Sequence, residues 1–180
     1  MLYFLFFATL FLTFFMISVN LDILYTFLLK TPMLPTSAAS LRGLKLVLAE
    51  YGKDNLRFYD LGSGNGKVTS FVANNFPRAV CTGVERNVGA LLKAKMRNVF
   101  AKNKISYKYE DLFTTDLGNA DVVYAYLFPQ IVHRLENKLE KELRPESLVI
   151  LNTFPLKHKL PEKIIPQAKG KLGGLYVYKY

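Results

Sequence analysis

One cysteine, Cys81, is all the chain has, so no intrachain disulfide can form. Its place in an apolar strand pattern marks it as a small core residue rather than a nucleophile. Histidine is nearly as scarce, with His133 and His158 alone, and no group of Cys, His and acids has metal-ligand spacing. No metal is therefore expected, and no nucleophile has a partnered base. Acids are outnumbered, 14 against 24 Lys and Arg, giving a net charge of +10 and a pI of about 9.6. Such a surface suits anionic lipid headgroups, nucleic acid or an acidic protein partner. Charge is absent altogether from residues 1–21, a Phe- and Leu-rich run that would rise about 30 Å as a helix, one hydrocarbon core. No basic stretch precedes it and no small-residue cleavage site follows, so the expectation is an uncleaved N-terminal transmembrane helix rather than a signal peptide. Lys30, Arg42 and Lys45 follow closely, which by the positive-inside rule places the globular part in the cytoplasm of a single-pass membrane protein.

Beyond the anchor, taken as residues 1–29, comes a linker at 30–40 with Pro32 and Pro35, and then one domain at 41–180. The chain is organised around RFYDLGSGNGK, residues 57–67: a short strand ending at Asp60, a turn with Gly62, Gly64 and Gly66, and the start of a helix. Glycines reach φ > 0 and let a ligand approach the backbone, while the helix start presents unpaired N–H groups. The spacing is GxGxG with an acid two residues earlier, where a dinucleotide fold more often shows GxGxxG; this points to S-adenosylmethionine rather than NAD. Before the turn, SLRGLKLVLAEYG has a helical stripe. After it come strands at 79–85, 105–111, 121–128 and 147–154, with helices at NVGALLKAKMRNVFAKN and 129–143 between them. The end of the chain reads as two β segments around a Gly-rich turn. The expected fold is α/β, a doubly wound, mostly parallel sheet closed by a terminal antiparallel β pair, Rossmann-like, preceded by the transmembrane helix.

Ligand loops lie at the carboxyl ends of parallel strands in such a sheet. Three acids fall there. Asp60 can orient the glycine turn or face the methionine ammonium through a water. Glu85, placed 19 residues after Gly66, can accept from both ribose hydroxyls or serve the next helix as a cap neighbour. Asp111 can reach the adenine amino group. Tyr124, Tyr126 and Phe128 belong to a strand aimed at the site and could line an acceptor mouth with Pro129, although Tyr124 reads equally well as core. His133 and His158 read as surface residues.

DLGSGNGK, GVERN, EDLF and AYLFPQ, in that order, resemble class I S-adenosylmethionine-dependent methyltransferases over residues 34–180. Pro35 and Thr36 before the first domain helix, GVERN, FPQIVHRLENKLEKEL, and Phe154 with Pro155 are similar to the membrane-associated protein-lysine methyltransferases that modify ATP synthase c-subunit and adenine nucleotide translocase. The resemblance implies a cofactor site made of Pro35, Thr36, Asp60, Gly62, Ser63, Gly64, Asn65, Gly66, Glu85, Arg86, Asn87, Asp111 and Leu112. It also implies a protein substrate, which with an anchor would be membrane-embedded. Asn65 and Lys67 stand where the family usually has Asp and Arg. The Asn/Asp-Pro-Pro-Tyr motif of adenine and glutamine N-methyltransferases is absent, which counts against a nucleic-acid partner. A lipid or small-molecule N-methyltransferase and a catalytically silent, cofactor-binding membrane scaffold are the alternatives.

Overall fold

The computed structural model describes residues 2–29, 35–99, 105–166 and 173–180. The chain divides into two units, Met1–Leu34 and Pro35–Tyr180. The first holds helix α1, Leu2–Leu29. Two of its threonines are satisfied internally: Thr9 Oγ1 donates to the carbonyls of Leu5 and Phe6, and Thr13 Oγ1 to those of Thr9 and Leu10.

The expected transmembrane helix is not supported. Among the described residues no helix is long and apolar enough to cross a membrane. Within the helix the Asn20 amide donates to the Met16 carbonyl. The single-pass membrane localisation with a cytoplasmic domain, and the membrane as a partner through this helix, rested on that span and fall with it. Lys30, the linker residues 30–34, the end of the helix expected to reach Asn103 and the Gly-rich turn at 167–172 lie outside the described residues.

In the second unit, helix α2 (Ala38–Tyr51) starts where Ser37 Oγ accepts the Ser40 N–H and stops at Gly52, a left-handed residue with φ +66. The strands are β1 (Arg57–Leu61), β2 (Val80–Glu85), β3 (Ile105–Tyr109), β4 (Val122–Ala125), β5 (Leu148–Asn152), β6 (Lys163–Pro166) and β7 (Gly174–Lys179). Helices α3 (Lys67–Asn75), α4 (Val88–Arg97) and α5 (Pro129–Glu142) connect the parallel ones. All seven form one sheet in the order β3-β2-β1-β4-β5-β7-β6. The first five run parallel, and β7 enters antiparallel between β5 and β6.

The alternation of side chains builds two cores. Phe58, Cys81, Val122, Tyr124 and Ile150 pack against α2 and α3 on one face. Leu61, Val84, Val123, Ala125, Val149 and Leu151 pack against Val132, Leu135 and Leu139 of α5 on the other. Cys81 is fully buried, and burial pushes its thiol up to about 12, as suits a core residue. Three strands stop earlier than the sequence suggests; β3 ends at Tyr109 instead of 111. β4 ends at Ala125, where its neighbour β1 also ends, at Leu61, and beyond the pair Ala125–Leu151 it has no further register partner on β5. β5 ends at Asn152 because Thr153 turns to φ +74.

Candidate functional site

The order of strands reverses between β1 and β4, and the glycine turn sits at that switch point, where crevices form in open α/β sheets. Gly62, Gly64 and Gly66 all hold positive φ, +74°, +53° and +73°, a region costly to any residue with a Cβ. A Cβ on Gly62 would also come within 2.8 Å of Leu127 Cδ2, so that side chain would have to shift. The N–H groups of Gly62 and Ser63 donate to the Val84 carbonyl at 2.9 and 3.0 Å, tying the turn to β2.

Glu85 joins two turns. One carboxylate oxygen accepts the Gly64 N–H at 2.9 Å and the other the Asn87 N–H at 2.7 Å. Asn87 is the N-cap of α4, its side chain accepting from Ala90 N–H at 2.8 Å, so its side chain is spent on the helix. Asp111 Oδ2 accepts from Arg86 Nη1 at 2.9 Å, and its Oδ1 accepts the Phe113 N–H at the same distance. Leu112 packs against the α5-side core. The Asn65 carbonyl accepts from Arg97 Nε at 3.2 Å. Pro35 is exposed and Thr36 buried, with the Thr36 carbonyl accepting from Lys67 Nζ at 2.6 Å.

Asp60 is 2% exposed. Its Oδ2 accepts the Thr69 hydroxyl at 2.6 Å and the Thr69 N–H at 3.2 Å. Burial raises its pKa to about 7; the Thr69 hydrogen bonds oppose that rise, and the charge of Glu85 adds to it. Burial thus favours the protonated form of Asp60 far more than water does.

Tyr107 packs beside the glycine turn and is a candidate site residue that its sequence position does not reveal. Its register partner is Gly83; a Cβ there would lie 2.7 Å from two Tyr107 ring carbons and 2.9 Å from Ser63 Oγ. The tyrosine hydroxyl accepts from Asn98 Nδ2 at 2.7 Å, and its ring also closes on the space beside Gly66. The available signal was Gly83 itself, a glycine inside a strand, which often marks a close approach.

At the end of β4, Tyr126, Leu127, Phe128 and Pro129 are all half-buried. Phe128 is the N-cap position and Pro129 the first residue of α5. Tyr124, by contrast, is core: 1% exposed and stacked on Phe58 with ring centroids 6.4 Å apart. His133 and His158 are exposed. Among the described residues no group of His, Cys and acids could hold a metal ion.

The sequence profile of the ANTKMT methyltransferase domain matches residues 60–163, more than half of the chain. The chain belongs to this family. It is an S-adenosylmethionine-dependent methyltransferase. It is similar to a protein-lysine N-methyltransferase of Saccharolobus islandicus, at 29% identity over 82% of this chain and 92% of that one. It is also similar to the adenine nucleotide translocase lysine N-methyltransferase of Mus musculus, at 25% identity over 77% of this chain and 61% of that one. Of the ATP synthase c-subunit lysine N-methyltransferase of Homo sapiens, 28% identical, it spans 45%, matched by 58% of this chain. Among solved structures, an RNA methyltransferase from Salinibacter ruber in complex with S-adenosyl-L-homocysteine has the same fold, with a TM-score of 0.72, 24% identity, and coverage of 81% of this chain and 93% of that one.

The residues at the turn fit the methyl donor. Ser63 Oγ is buried and, among the described residues, has no hydrogen-bond partner, which suits it to bond a polar ligand atom. Three left-handed glycines keep side chains off the cradle beside it.

Proposed function

We propose that this methyltransferase transfers a methyl group to the side-chain amines of protein lysines. The similarity to three lysine N-methyltransferases carries this reading, and the chemistry of the strand end supports it. In this reading the acceptor mouth is formed by Tyr126, Phe128 and Pro129, half-buried residues that are mainly apolar and aromatic. A lysine must lose its proton before it can act as a nucleophile, which from a pKa of about 10.4 costs roughly 4–5 kcal/mol at neutral pH. Desolvation in an apolar mouth disfavours the ammonium and offsets part of that cost.

S-adenosylmethionine supplies an electrophilic methyl group on a sulfonium. The protein's part is alignment and exclusion of water. In this reading Gly62, Ser63, Gly64, Asn65 and Gly66 form the cradle, and Asp60 faces the ammonium of the methionine moiety. Glu85 keeps a second acceptor position on each oxygen for ribose hydroxyls. Asp111 and Leu112 bound the adenine end, Arg86 and Asn87 hold their own turns in shape, and Pro35 with Thr36 closes the opposite side. The membrane-embedded target expected with the anchor loses that argument, and the proposal is for protein lysine without that restriction.

The test is incubation of the purified protein with a cell extract and methyl-labelled S-adenosylmethionine, followed by hydrolysis and amino-acid analysis. The expected product is labelled methyllysine. Label recovered only in an organic extract, or only in RNA, would remove the lysine assignment and leave the cofactor assignment standing.

A further inference from the structure

Three polar side chains with almost no exposure meet at the carboxyl edge of the sheet. Tyr124 on β4 and Asn152, the last residue of β5, are each 1% exposed, and Thr36 is 7% exposed. Asn152 Nδ2 donates to Tyr124 Oη at 3.0 Å, and Thr36 Oγ1 lies 3.5 Å from the same hydroxyl. Burial holds the tyrosine hydroxyl well above its ordinary range, so it stays protonated. The far side of the Asn152 amide is also occupied: its Oδ1 accepts from Thr153 Oγ1 at 3.2 Å. Thr153 is itself a β-branched residue at φ +74, a conformation such residues rarely enter. It is held there by its N–H, which donates to the Gly174 carbonyl at 2.8 Å.

The chain of contacts leads to the glycine turn from both directions. Register puts Tyr124 directly beside Asp60. At the other end, the Thr36 carbonyl accepts from Lys67 Nζ at 2.6 Å, and Lys67 is the first residue of α3, the helix the turn opens. A core needs no such trio, since buried hydroxyls and amides pack no better than carbon and must be satisfied. Backbone strain kept next to a buried polar chain is a feature of ligand edges.

We propose that Asn152, Tyr124 and Thr36 are a positioning unit that holds the Pro35–Thr36 segment against the glycine turn and thereby sets the affinity for S-adenosylmethionine. The role assigned to all three is positioning, not chemistry. They act through the Thr36 main chain and Lys67. The proposal does not depend on lysine as acceptor, and its test needs no acceptor.

The experiment is calorimetric titration of the full chain with S-adenosylhomocysteine, with the melting temperature of each variant measured alongside. Tyr124→Phe keeps the ring and loses the hydroxyl; Thr36→Val keeps the shape and loses the hydroxyl. Each is expected to weaken binding about five- to tenfold, the worth of one hydrogen bond. The double variant is expected to be no weaker than the poorer single one, because both remove the same unit. Thr36→Ser restores the hydroxyl and should bind within about twofold of wild type. Tyr51→Phe is the control, its hydroxyl donating to the Glu146 carbonyl before β5, away from the turn, and should bind as wild type. If Tyr124→Phe does not fold, Asn152→Asp, which keeps an acceptor for Thr153 and loses the amide donor, takes its place. Wild-type affinity in Tyr124→Phe (or in its replacement) and in Thr36→Val, whatever their melting temperatures, overturns the proposal, as does full additivity in the double variant.

Discussion

Asp60→Asn separates what this buried acid does for the fold from what it does for the ligand. The carboxyl lies 2% exposed, and burial raises its pKa from 3.8 to about 7. It binds its proton more tightly in the folded chain than in the unfolded one, so ionisation favours unfolding. The stability contributed by the protonated form is complete below about pH 4 and is lost as pH rises toward 7. Each tenfold gain in proton affinity on folding is worth about 1.4 kcal/mol, so the loss between pH 5 and pH 8 is about 2–3 kcal/mol. Asparagine does not ionise and still offers one oxygen to the Thr69 hydroxyl and N–H. Any cost of its amide hydrogens is the same at both pH values and cancels in the comparison. Urea denaturation of both proteins at pH 5 and pH 8 should therefore show the variant gaining about 2–3 kcal/mol on wild type over that interval. Its affinity for S-adenosylhomocysteine should fall. An equal stability difference at the two pH values would refute the assignment of a near-neutral buried carboxyl.

Gly83→Ala drives a Cβ to 2.7 Å from the Tyr107 ring and 2.9 Å from Ser63 Oγ; thermal unfolding should show a loss of about 1–3 kcal/mol, largely recovered when Tyr107→Leu is added. Glu85→Gln replaces one of the two acceptor oxygens that hold the Gly64 and Asn87 N–H groups with a donor, so calorimetry should find S-adenosylhomocysteine binding weakened about tenfold with secondary structure intact by circular dichroism. Glu136 is 2% exposed and accepts the N–H groups of Lys157, His158 and Lys159. Glu136→Ala should cost about 2–4 kcal/mol in urea denaturation, since three donors lose their acceptor, while donor affinity stays unchanged.

The turn was legible in the sequence because it is local. Asp60 and three glycines at fixed spacing can be read without knowing what packs on them, and the five parallel strands followed from the alternation of apolar runs with amphipathic helices. Partnerships between separate strand ends were not legible. Nothing near Asp111 in the sequence indicates that Arg86 will take its Oδ2, or near Glu85 that its two oxygens will each hold a backbone N–H. Tyr107 escaped for the same reason, its role being fixed by register with Gly83. The apolar runs at 121–128 and 147–154 overstated their strands because hydrophobicity does not say where the neighbouring ladder ends or where a left-handed Thr153 interrupts it. The same limit applied to the N-terminal run: apolar composition suggested a span that the described helix does not provide.

The central claim, methyl transfer to protein lysine, is tested most directly by mass-spectrometric comparison of lysine methylation in cells with and without the gene. A methylated lysine that disappears on deletion and returns when the purified protein and S-adenosylmethionine are added back is the predicted result. Unchanged lysine methylation, with methyl groups lost only from RNA, lipid or a small molecule, would contradict it.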